Sequence, residues 1–145
     1  MVSELSASLD LDGLCIIPTK TVKYFDRAFE KANYYQAALG TWRNVDTHAE
    51  LLEGLSGNMI RDLQFLSNKG NTVAIHMELD DPDVCFVGTV HDVADATLLL
   101  RRISAQGKPI TEPLEVVLKL ITKVELATRY LTAVGYAARV LATRP

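Results

Sequence analysis

Residues 112–143 read EPLEVVLKLITKVELATRYLTAVGYAARVLAT, and the spacing of their apolar positions sets the expected fold. Val117, Leu120, Val124, Ala127, Leu131, Val134, Ala138 and Leu141 recur at alternating steps of three and four. At 3.6 residues per turn, that spacing gathers them on one side of an α-helix. Glu115, Lys119, Lys123, Glu125 and Arg129 fall on the opposite arc. The stretch predicts one long amphipathic helix over 112–143. At a rise of about 1.5 Å per residue it would measure roughly 45 Å, more than a globule of this size needs for its own core. Such a rod is expected to span the molecule or to pack on a second copy or another protein.

Working back from this stretch, Pro109 and Pro113 bracket its entry and Thr111 is its candidate cap. Asp92 predicts the start of another helix running to about Ala105, with Val93, Ala96, Leu99, Leu100 and Ile103 inward and Gly107 closing it. Before it the period changes to two: Val73, Ile75, Met77 and Leu79 alternate with Ala74, His76 and Glu78. The turn Asp80-Asp81-Pro82-Asp83 then leads into a second strand, Val84 to Val90.

A helix is expected from Asp46 to the Asn68-Lys69-Gly70-Asn71 turn, opened by a Thr47-His48-Ala49-Glu50 capping box. Its stripe is Leu52, Leu55, Met59, Leu63 and Leu66; Gly54 and Gly57 inside it imply a bend or a close backbone approach, at about 1 kcal/mol each. Another helix is expected from Thr21 to Leu39 on Val22, Phe25, Phe29, Ala32 and Tyr35, ending at Gly40. Leu14 to Ile17 reads as a short strand, and residues 1–10 as a flexible tail. The expected class is α+β, one globular domain over 1–145. Four helices pack on a small two- or three-stranded antiparallel sheet in the order β-α-α-β-β-α-α.

Composition narrows the function classes. Apolar residues make up 48% and charged residues 23%, a globular balance, and the formal net charge is −3. No global basic field draws nucleic acid; Arg101-Arg102 and Arg139 with Arg144 are small local basic spots. No apolar run approaches the ~20 residues of a membrane span, and the amino terminus lacks a basic leader, so a cytoplasmic protein is expected. Cys15 and Cys85 both sit in apolar runs and read as buried free thiols of a reducing compartment, the alternative being a disulfide if their two strands lie side by side.

Three patterns bear on chemistry. His91-Asp92 with Asp95, and His48 upstream, resembles the metal-binding step of the HD phosphohydrolase superfamily, which would imply a divalent metal and phosphoester hydrolysis. That family also needs a downstream aspartate, and none follows Asp95. Glu50-x-x-Glu53 with Glu78-x-x-Asp81 resembles the paired acidic motifs of all-helical nucleotide pyrophosphohydrolases, where four carboxylates bind magnesium. Here the second pair falls on a strand and its turn. His76 and Glu78, two apart on a strand, share a face and offer half a metal site. No nucleophile motif or glycine-rich phosphate loop is present.

Carboxylates at helix starts are explained by capping and the helix dipole. The sequence therefore points to a non-enzymatic protein-interaction or assembly module (adaptor, chaperone or immunity-type inhibitor), without cofactor or metal. It would form a homodimer or bind a protein partner, not nucleic acid or membrane. Its interface candidates are Tyr24, Tyr34 and Trp42, which supply amphipathic aromatic area, and Leu131, Val134, Ala138 and Leu141 of the helical seam. The competing class is a small metal-dependent hydrolase or ligand-binding domain using His48, Glu50 and Glu53 with His91, Asp92 and Asp95.

Overall fold

The computed structural model describes residues 2–5, 11–22, 48–80 and 82–143. Its strands are β1 Val2–Leu5, β2 Leu11–Ile16, β3 Thr72–His76, β4 Cys85–Val93, β5 Thr97–Arg102, β6 Leu114–Val117 and β7 Lys123–Leu126. They form one antiparallel sheet in the order β1-β2-β7-β3-β4-β5-β6, in which β2 to β7 make a six-stranded body and β1 adds an outer edge. Among the described residues three α-helices accompany it: α1 Ala49–Gly54, α2 Met59–Lys69 and α3 Arg129–Ala142. This corrects the expectation of four helices on two or three strands.

The β3–β4 hairpin is the expected one, with Ile75 opposite Phe86. Beyond it the expected helix over 92–105 is replaced by the end of β4 and by β5. Leu98 and Leu100 are fully buried, while Arg101 between strand ends is exposed. The leucine run Leu98-Leu99-Leu100 satisfies a helical stripe and a strand alternation equally, and pairing with β4 decides between them. Asp92 does not cap a helix; its Oδ1 accepts from Val93 N at 2.9 Å, and Ala94 N donates to Thr97 O at 2.9 Å to close the turn.

The long rod over 112–143 is likewise corrected. It divides into β6, a 3-10 turn at Leu118–Leu120, β7 and α3. Val116, Val124 and Leu126 are buried in the core while Glu115 is exposed and Lys123 and Glu125 are half-buried, a period of two that the step-three-and-four ladder had overlaid. Val116, Val117, Ile121, Thr122 and Val124 are β-branched, which restricts them in a helix and suits them to strands. Ala127 then takes a left-handed conformation at φ 59, which stops β7, and Thr128 caps α3 by accepting from Leu131 N at 3.1 Å.

The main core lies on one face of the sheet. Leu14, Val73, Ile75, Leu98, Leu100, Val124 and Leu126 point there, covered by Leu63 and Leu66 of α2. Full burial of a leucine contributes about 1.5–3 kcal/mol, so these two side chains alone anchor α2 firmly. The expected single helix over 46–67 is broken at Leu55–Asn58, so the bend is the glycine expectation that applies: Gly57 has φ 79, while Gly54 is approached by the Phe65 ring rather than by a backbone. Asn58 caps α2 through Oδ1 to Arg61 N at 3.2 Å. The buried Asp62 carboxylate accepts from Ser56 N at 2.6 Å, Ser56 Oγ at 2.8 Å and Gly57 N at 3.1 Å, locking the link between the two helices.

Val2–Leu5 pairs with β2, where a tail was expected. Apart from Thr21 in a 3-10 turn and the exposed Val22, the expected helix over 21–39 lies outside the described residues, as do the candidates Tyr24, Tyr34 and Trp42 and the capping residue Thr47.

Candidate functional site

Helix α3 lies on the face of the sheet opposite α2. Val73 points into the α2 core, so its neighbour Thr72 points the other way, and the Thr72 side chain meets Gly135 of α3. Thr72, Thr89 and Arg101 are register partners on β3, β4 and β5 and form a row across that face. At the far flank of the helix, Gly107 of the β5–β6 connection packs against the Ala137 methyl. Supported at these places, α3 leaves beside it a cleft of about 650 Å³.

The cleft walls are aliphatic and cationic. Leu99, Ile103, Ile110, Ala138 and Ala142 supply apolar surface, and Arg101, Arg102, Arg139 and His91 supply the nitrogen groups. A β-bulge between Val90 and Asp92 places His91 beside Arg101, with His91 Nε2 3.2 Å from Arg101 Nη2. Arg102 Nη2 donates to Glu112 O at 3.4 Å, whereas its Nε is buried without a hydrogen-bond partner. Among the described residues no carboxylate stands within ion-pair distance of these arginines, and none lines the cleft.

A second cluster sits on the same sheet face. His76 on β3 lies between Cys85 on β4 and Lys123 on β7 in register. Glu125 Oε1 is 2.5 Å from Lys123 Nζ and 3.1 Å from His76 Nε2, within ion-pair reach of the imidazole but not aligned as a hydrogen bond. His76 thus pairs with Glu125 rather than with Glu78, which belongs to the turn after β3. Burial, and after it the Glu125 charge, push the Cys85 thiol above its usual range, with Lys123 opposing. A thiol held protonated is a poor nucleophile, so the arrangement is suited to packing and charge balance rather than to covalent chemistry.

The residues singled out in the sequence are redistributed. Leu131, Val134 and Ala138 are 1%, 7% and 7% exposed, buried within the chain under α3. The free seam expected of them is absent; only Leu141, at 37%, keeps the exposure expected of a contact residue. Tyr130 and Tyr136, which the spacing argument passed over, are 53% and 64% exposed on α3. His48 precedes α1, Glu50 and Glu53 are exposed on it, and His91, Asp92 and Asp95 lie in β4 and its turn. Among the described residues no three histidine, cysteine or acidic side chains come together as a metal site. Cys15 is buried as expected, whereas Cys85 is exposed at the start of β4, against the expectation of a buried thiol; β7 and β3 lie between their strands, a span of roughly 14 Å that no disulfide bridges.

The cleft was foreshadowed only by the two basic spots, Arg101-Arg102 and Arg139, which sequence separation kept apart. No helix among the described residues is long and apolar enough to cross a membrane. No protein-family model, characterised protein or solved structure matches this chain.

Proposed function

We propose that this chain is a non-enzymatic binding module that docks a protein partner, acting in the cytoplasm. The observation that carries the reading is the cleft beside α3. It has the volume of a ligand site, aliphatic walls and a few convergent polar groups, the usual build of a recognition surface. The groups that line it suit binding better than turnover. Arginines hold and orient anionic groups but do not shuttle protons at neutral pH, and His91 has no carboxylate or thiol partner among the lining residues. Exposed Tyr130, Tyr136 and Leu141 on the same helix extend the surface available to a macromolecular partner. Two cysteines without a disulfide between them fit a reducing compartment.

A peptide-display selection against the immobilised chain tests the reading. A recurring peptide pattern is expected, and it should be lost with Ala142→Trp, which fills the cleft mouth at an exposed position. Failure to enrich any pattern, or a pattern indifferent to Ala142→Trp, would sink it. The competing metal-dependent hydrolase, built on His48, Glu50, Glu53, His91, Asp92 and Asp95, calls for a rise in melting temperature with Mg²⁺ or Mn²⁺ that His91→Ala abolishes.

A further inference from the structure

We infer that the segment taken up by the cleft is an acidic peptide carrying aliphatic side chains, an inference that rests on the binding-module reading above. Arg101, Arg102 and Arg139 converge on one recess from β5 and α3, and no carboxylate among the described residues pairs with any of them. The chain as a whole has 18 acidic residues against 15 lysines and arginines, and none of the described carboxylates lines this recess. Like charges held together beside an apolar wall repel one another, and an arriving anion relieves that repulsion. Guanidinium forks fit carboxylates in particular, through paired N–H donors.

The distribution of charge favours a chain over a single-headed acid. Arg101 stands on the sheet wall and Arg139 on the helix wall, with Leu99, Ile103 and Ala138 around them. Carboxylates at intervals along a peptide meet charges on both walls, while interleaved leucine, isoleucine or valine side chains cover the aliphatic surface. Nucleic acid shares the negative charge but not the rest. Among the described residues no phenylalanine, tyrosine or tryptophan lines the cleft to stack a base, and the overall charge is −3.

Fluorescence anisotropy with three probes tests this: an eight-residue peptide of alternating glutamate and leucine, its counterpart with glutamine in place of glutamate, and a twenty-nucleotide oligothymidylate. The glutamate peptide should bind at least tenfold more tightly than the glutamine peptide. Its affinity should fall with salt and drop at least tenfold in Arg101→Gln/Arg139→Gln, whose melting temperature serves as the folding control because both positions are exposed. Equal binding of the two peptides, lost in Ala142→Trp, would overturn the acidic preference while leaving the binding module standing. Tighter binding of oligothymidylate, or no binding of the glutamate peptide, would also overturn it, and the display selection then judges the broader reading separately.

Discussion

Gly135 of α3 rests directly on the Thr72 side chain of β3, so close that a β-carbon on the glycine would overlap the threonine hydroxyl. This contact fixes how near the helix lies to the sheet, and with it the depth of the cleft. In an unhindered helix interior, glycine to alanine stabilises by up to about 1 kcal/mol. Here the sign should reverse. Gly135→Ala is expected to destabilise by about 1–3 kcal/mol through overpacking, read by urea unfolding. The companion Gly135→Ala/Thr72→Ala should recover part of that loss, since it removes the hydroxyl that the methyl meets.

Asp62 offers a second test, because its carboxylate holds the break between α1 and α2. Asp62→Ala strands the Ser56 and Gly57 N–H groups, at about 2–4 kcal/mol in all. Asp62→Asn keeps an acceptor oxygen and should cost less than half as much. Equal losses in the two variants would show that packing, not hydrogen bonding, sets the cost.

Burial separates core from surface along α3. Leu131→Ala should cost about 2–5 kcal/mol, with no change of mass in sedimentation, because the side chain is enclosed by its own chain. Tyr136→Ala should change stability by less than about 0.5 kcal/mol. A drop in mass for Leu131→Ala at unchanged melting temperature would restore the helical seam as an intermolecular contact.

The Cys85 thiol should be slow to alkylate. Partial desolvation of the thiol, although the residue is exposed, and the Glu125 carboxylate both raise its pKa, so at pH 8 it carries less thiolate than a free cysteine. Iodoacetamide should react more slowly with Cys85 than with a cysteine peptide. Glu125→Gln removes a raising influence and should speed the reaction; Lys123→Gln removes a lowering one and should slow it further. Buried Cys15 contributes little to the signal.

The β3–β4 hairpin was legible because one local pattern, alternation with a turn of Asp and Pro between, points to one structure. The Gly54–Gly57 break was half legible: the glycines announced a bend, but not that Ser56 and Gly57 would donate to Asp62. The cleft was legible only as two unrelated basic spots. Its arginines are 37 and 38 positions apart along the chain (139 − 102 and 139 − 101), and nothing local relates them.

Local periodicity alone thus determined the hairpin, the short β2 strand and the amphipathic character of the last segment. Whether residues 114–126 became helix or strand was a tertiary decision. Val124 fits either period while Leu126 fits only that of a strand, and the choice fell to hydrogen-bonding partners supplied from Leu14–Ile16 and Val73–His76, far back in the chain. A helix finds its backbone partners four residues away, whereas a strand must borrow them from distant segments. Those segments also set α3 over Thr72 and brought Arg139 to the same recess as the adjacent Arg101 and Arg102.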